Sequence, residues 1–173
     1  MLQPFQVRLA AASDVEAVLG LFDQARAIMR SDGNLTQWAG GYPDAPAVLR
    51  DIDAGVGYVL VRSSADPVAI SASADPVAYF ALIPSPDPTY SYIEGAWLDD
   101  EPYGVIHRIA SGPENHGIMA SILDFAFSKF AEIRIDTHEN NHIMRHILER
   151  SGFVYCGVIY VADGSPRMAY QRR

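Results

Sequence analysis

Cysteine occurs once in the 173 residues, at Cys156, so no disulfide framework can be built within the chain. A lone thiol fits the reducing cytoplasm, which is the expected location. No apolar run approaches the ~18 uninterrupted residues that suggest a membrane span. The opening segment, MLQPFQVRLAAASD, has no basic stretch leading into an apolar one, so no leader peptide is expected. Basic residues are scarce too: 13 Lys and Arg face 21 Asp and Glu, a formal charge of −8. A protein that grips nucleic acid through phosphates needs the opposite balance, so nucleic acid is not an expected partner. The acid excess serves solubility first and the attraction of cationic small molecules second.

What remains is an ordinary globular composition, 49% hydrophobic and 20% charged, over a length that suits one domain spanning residues 1–173. Gln6 to Leu9 reads as a strand. Ser13-Asp14 offers a cap to a helix carrying Val15, Val18, Leu19, Phe22, Ala25 and Ile28-Met29 at helical spacing. SDGNLTQWAGGYPDAP reads as a long loop, followed by a helix with Pro46 in its first turn and a strand over Gly57 to Val61. Ala65 to Ala69 recurs as Ala74 to Ala78, two copies of ADPVA that read as a lengthened hairpin loop. Val77 to Ile83 is a strand ended by the PSPDP turn, and Tyr90 to Ala96 is either a strand or an irregular crossing segment. Val105 to Ala110 is a strand, His116 to Phe130 a helix, Glu132 to Asp136 a strand and Asn140 to Arg150 a helix stopped by Ser151-Gly152. Two strands, Phe153 to Val161 and Arg167 to Gln171, close the chain. This order predicts a three-layer α/β arrangement on a mixed sheet.

Two segments carry chemistry. In VIHRIASGPENHGIMASILDFAF a strand ends, a polar turn follows and an apolar-periodic helix begins. Unpaired N–H groups at a helix N-terminus suit a pyrophosphate, and Gly117 lets the backbone approach one closely. The second segment, EIRIDTHENNHIMRHILERSGFVYCGVIYV, sets an Asn pair at a helix start and Gly152-Phe153 at the next strand. It also holds His138-Glu139-Asn140-Asn141-His142, the H-E-x-x-H pattern of zinc proteases. That chemistry needs both histidines on one continuous helix, whereas Thr and Asn directly after a strand favour a cap, so no metal is expected.

The strand–turn–helix, the Asn-led helix and Gly-Phe together resemble the C-terminal half of the GNAT superfamily of acetyltransferases. The resemblance implies a mixed central sheet flanked by helices, with splayed strands at the cofactor cleft, and acetyl-CoA as cosubstrate. It implies transfer to the amine of a small molecule or peptide by direct attack on the thioester, in a monomer or homodimer. Carried over by position, Asn115, His116, Gly117, Ile118 and Met119 form the pyrophosphate turn, with Glu114 where Gln or Arg is usual and Met119 where Gly or Ala is usual. Ile109 and Ser111 supply backbone groups to the pantetheine arm, and Asn141 a side chain. A strand amide at the splay would hold an oxyanion.

The family's frequent general acid, a Tyr five residues before the Phe of Gly-Phe, is replaced here by Leu148. Tyr155 and Tyr160 are the nearby phenols, and Tyr155 is taken as the candidate acid. His107, within the strand expected beside the acetyl group, is the candidate base. Its alternation partners Val105 and Ile109 are apolar, which equally fits a core histidine. Glu94 and Asp136 are the next candidates, and Trp38, Tyr42 and Glu94 are expected around the acceptor. Two alternatives stay open: a non-catalytic CoA-binding module of this fold, and a zinc hydrolase built on His138, Glu139 and His142.

Overall fold

In the computed structural model, which describes residues 5–63 and 74–173, eight strands form one sheet. The elements are β1 (Phe5–Leu9), α1 (Val15–Ser31), α2 (Ala45–Asp53), β2 (Gly57–Arg62), β3 (Ala78–Pro84), β4 (Glu94–Gly95), β5 (Gly104–Ser111), α3 (Ile118–Phe127), β6 (Ile133–Thr137), α4 (His142–Arg150), β7 (Val154–Tyr160) and β8 (Pro166–Arg172). The sheet order is β1-β2-β3-β5-β6-β8-β7-β4, antiparallel except where β5 and β6 run parallel. This is the mixed sheet flanked by helices that the order of elements predicts.

Each helix buries one stripe. Ile118, Ile122 and Ala126 of α3 and Leu148 of α4 pack on Leu60, Phe80, Ile106 and Ile135. Val18 and Phe22 of α1 and Val48 of α2 cover the opposite face through Val59, Tyr79 and Ala110. A third cluster, Tyr90, Tyr103, Val105, Ile159 and Ala169, lies under the segment between β3 and β5.

Several boundaries differ from the sequence reading, each for a local reason. Asp14 does not cap α1 with its side chain; its carboxylate takes the N–H of Ala11 and a fork from Arg8 at 2.7 and 2.9 Å. α3 starts at Ile118 rather than His116 because Gly117 is left-handed, with φ 80°. α4 starts at His142 because Asn141 caps it, accepting the Met144 N–H at 3.1 Å. The Tyr90 to Ala96 stretch resolves into a 3₁₀ turn over 88–90 and the two-residue β4. The first ADPVA copy, with Pro67, lies outside the described residues; the second leads into β3, where Val77 N–H donates to the Leu60 carbonyl.

Two irregularities build the cleft. β5 and β6 pair only at Gly104 with Ile133 and Val105 with Arg134. From Ile106 onward β5 therefore has no β6 partner, and the strands diverge. β5 also carries a bulge: Tyr79 pairs Ala110 and Ala81 pairs His107, so two steps on β3 match three on β5. Arg108, at the extra position, has φ 57°. A bulge breaks strict alternation. Ile109 accordingly packs with the α3 side, whereas His107 and Arg108 both turn to the other face. Ile109 is thus not an alternation partner of His107, and the core-histidine reading loses half its basis.

Candidate active site

The divergence of β5 and β6 opens a cleft of about 1010 Å³. Its donor-facing half is lined by Ile109 and Ser111 on the unpaired length of β5 and by Asn115 to Met119. The first N–H groups of α3 have no acceptor within the helix and point out of its N-terminus. A side chain at Gly117 would meet open space, so its role is conformational, turning the chain into α3 at positive φ. Arg62 bonds Asn115 Oδ1 at 2.7 Å, bringing a guanidinium to the turn. Glu114 does not line the cleft; it accepts from Asn115 at 3.1 Å instead. The acidic residue in the turn is therefore engaged by the Asn115 amide rather than lining the cleft.

The other half centres on His107. Its Nε2 lies 2.8 Å from Asp87 Oδ2, and its Nδ1 lies 3.8 Å from Asp136 Oδ2. Burial alone would push Asp87 up. The His107 bond and the hydroxyl and N–H of Thr89, at 2.6 and 2.9 Å, outweigh it and hold the carboxyl at about 2. An ionised carboxylate only accepts, so Nε2 donates the proton in that bond, and Nδ1 is the ring nitrogen on the Asp136 side. Tyr90 Oη donates to Asp136 Oδ2 at 2.8 Å, and its phenol is pushed well above the usual value by burial and then by that carboxylate. Tyr90 is therefore a fixed donor that orients Asp136.

Beside His107, the Arg108 guanidinium forks onto Asp51 of α2 at 2.9 and 2.6 Å and reaches Tyr42 Oη at 3.1 Å. Trp38 lines the cleft while packing edge-on against Phe22, with centroids 5.4 Å apart, so it serves wall and core together. The loop between α1 and α2 also crosses to the start of α4. Gln37 Oε1 accepts from Asn141 Nδ2 at 3.1 Å, and Thr36 Oγ1 meets His138 Nε2 at 3.2 Å.

The match with known structures agrees with this geometry. An acetyltransferase of the GNAT family from Streptococcus agalactiae is 32% identical, with 99% of this chain and 96% of that one covered and a TM-score of 0.83. The chain belongs to the GNAT acetyltransferase family. Two further structures share the fold at lower identity. A GNAT acetyltransferase from Listeria monocytogenes is 21% identical, with 97% and 94% covered and a TM-score of 0.66. The NatC complex bound to Gag peptide and CoA is 15% identical, with 98% and 98% covered and a TM-score of 0.56. No family model and no curated protein matches the sequence.

Within this GNAT fold, Ile109, Ser111, Asn115, His116, Gly117, Ile118, Met119 and Asn141 all line this cleft, with His107, Trp38 and Tyr42. Tyr155 does not join them: its half-exposed ring packs edge-on against Tyr170. Glu94, on the exposed two-residue β4, stays outside as well, interacting with Tyr160. Asn141 spends its oxygen on Met144 and an N–H on Gln37, so it holds two chain segments together before any ligand arrives. His138 precedes α4 and His142 begins it, so the HENNH run is a strand-to-helix turn rather than a helical pair. Among the described residues no group of three or more His, Cys, Asp and Glu side chains is gathered to hold a metal. Sequence reasoning missed Asp87, Asp51 and Arg108. Asp87 reads only as part of a Pro-rich turn, twenty residues from His107, and no spacing rule connects the two.

Proposed function

We propose that this chain transfers the acetyl group of acetyl-CoA to the amine of a small molecule or peptide, with His107 as the base. One observation carries the reading: a histidine bonded to an ionised Asp87 stands in the opening between β5 and β6, with Nδ1 3.8 Å from Asp136. Residues on the other side of the opening fit the cosubstrate. They are the backbone of β5 at Ile109 and Ser111, beyond its last pairing with β6, the helix start at Gly117 to Met119, and Arg62 on Asn115. Acetyl-CoA, when bound, supplies an acetyl thioester open to nucleophiles.

The chain's own residues then do three things. His107 Nδ1 accepts the proton of the acceptor ammonium, leaving a neutral amine. Asp87 fixes the ring, and Asp136, held by Tyr90, adds negative charge 3.8 Å from the nitrogen that becomes charged. Free N–H groups of β5 beyond Val105 are available to a carbonyl oxygen. Leu148 is fully buried in the core, so no phenol serves as acid from that position. This last observation favours the second reading, a CoA-binding module without turnover. Incubation of the purified protein with acetyl-CoA and a panel of primary amines, following free thiol, separates the two. Thiol release that depends on the amine supports transfer, and CoA binding without release for any amine supports the module.

Gly117 gives a second test. A β-branched residue at φ 80° is strongly disfavoured, so Val there must distort the helix start. Its side chain points to open space, so the fold should survive. Affinity for CoA, measured by calorimetry, is expected to fall by roughly tenfold or more in Gly117→Val, a loss of about 1.4 kcal/mol. Unchanged affinity in a folded variant removes this turn from the site.

A further inference from the structure

Arg108 occupies a backbone position where glycine costs nothing and arginine does. Such a residue persists only where its surroundings over-determine it. Here they do so through one carboxylate. Asp51, only 5% exposed, takes the Arg108 fork on both oxygens and a third bond from Tyr79 Oη at 2.6 Å. The remaining arm of the guanidinium reaches Tyr42, in the loop that walls the acceptor side. Three elements therefore meet at Arg108: α2 through Asp51, the β5 bulge through its own backbone, and the α1–α2 loop through Tyr42.

The bulge also decides which residue shares the face of His107, whose own direction follows from Ile106 by ordinary alternation. Without the extra residue, strict alternation would put Arg108 on the α3 side and return Ile109 to the His107 face. We infer that Asp51 and Arg108 are positioning residues: their ion pair locks the β5 bulge that keeps Ile109 off the face of His107 and holds Tyr42 at the acceptor wall. The inference deepens the acetyl-transfer reading and rests on it for its kinetic consequences. The lock itself is a statement about the chain alone.

The lock separates two roles that a simple deletion would merge. Glycine keeps the left-handed backbone without the side chain, whereas alanine loses both. Building each change on Asp51→Asn removes the buried carboxylate that would otherwise be left unpaired. In Asp51→Asn/Arg108→Gly the bulge persists, so kcat should stay within about threefold while the KM for the amine rises roughly tenfold as Tyr42 is released. In Asp51→Asn/Arg108→Ala the bulge relaxes, Ile109 returns to the face of His107 and displaces its ring, and kcat should fall by about 10²-fold, the usual result of small misplacement of a reacting group. The pH dependence of kcat/KM should shift with it.

A readout independent of turnover accompanies the kinetics: the imidazole ¹⁵N signals of His107. The Gly variant should keep the parental Nε2-protonated pattern and the Ala variant should lose it. Asp51→Asn alone, the mildest change, should move those signals part-way. Equal kcat losses in the Gly and Ala variants would overturn the lock, because the guanidinium would then act on the chemistry directly. Parental kcat and imidazole signals in the Ala variant would overturn it as well. If the parent shows no turnover with any amine, the acetyl-transfer reading fails, and the imidazole signals still decide the lock.

Discussion

Turnover of a His107→Gln variant is expected to fall by about 10²–10⁴-fold, the usual loss on removing a general base. Gln fills a similar volume and can still bond Asp87, so the pocket should keep its shape. It cannot accept a proton, so the rise of kcat/KM with pH that an imidazole base imposes should vanish. CoA affinity should stay level, because the turn at Gly117 and the unpaired length of β5 are separate from His107 Nε2 and its bond to Asp87. A core histidine would behave otherwise: its loss would lower stability and leave activity per folded molecule near the parent's. Measuring steady-state rates against pH together with the unfolding midpoint distinguishes the two. Parental turnover at every pH in a folded variant would end the assignment.

Asp87→Asn should be nearly as damaging, for a reason of proton placement. Thr89 donates to Asp87 Oδ1 from both its N–H and its hydroxyl. In the variant that position must be taken by the amide oxygen, which leaves the NH₂ group facing His107 Nε2. Nε2 then has to accept, the ring proton moves to Nδ1, and Nδ1 is no longer a base. A loss of about 10²–10⁴-fold in kcat is expected with little change in CoA affinity. The same carboxylate contributes to stability with a definite sign. Held at about 2, below the unfolded value near 4, Asp87 stabilises the fold above pH ~4. That contribution is lost as pH falls from about 4 through about 2. Denaturant midpoints measured across this window should fall for the parent more steeply than for Asp87→Asn. Parallel curves would show that the carboxylate is not held low.

How much of this was legible in the sequence depends on the range of the cause. Periodicity marked every helix and every strand except β4, because burial of one face is a local constraint written at spacings of two or near 3.6. The starts of α3 and α4 were placed two residues early, at His116 and Asn140, because the positive φ of Gly117 and the cap of Asn141 set the exact boundary. β4 was not legible, because two residues held only by pairing with Gly157 and Val158 have no pattern of their own. The site was half legible. His107 could be found from its strand, but its partners come from a turn before the strand and from the neighbouring strand across the splay. The bulge was invisible for the same reason. An arginine at positive φ follows from the fork onto Asp51, fifty-seven residues away, and no local propensity suggests it.

The contacts of the α1–α2 loop change how the opening between β5 and β6 must work. At the narrow end the two strands are joined by two paired positions. At the wide end Tyr42 holds the loop to the β5 side through Arg108, while Thr36 and Gln37 hold it to the segment leaving β6. The gap is thus a ring closed by a clasp rather than an open notch, and at the α4 end its clasp is made of two amides, a hydroxyl and an imidazole. Such bonds exchange readily for equivalent ones. A ligand that offers an amide to Asn141 would unfasten the loop as it enters, so filling one half of the ring resets the fit of the other.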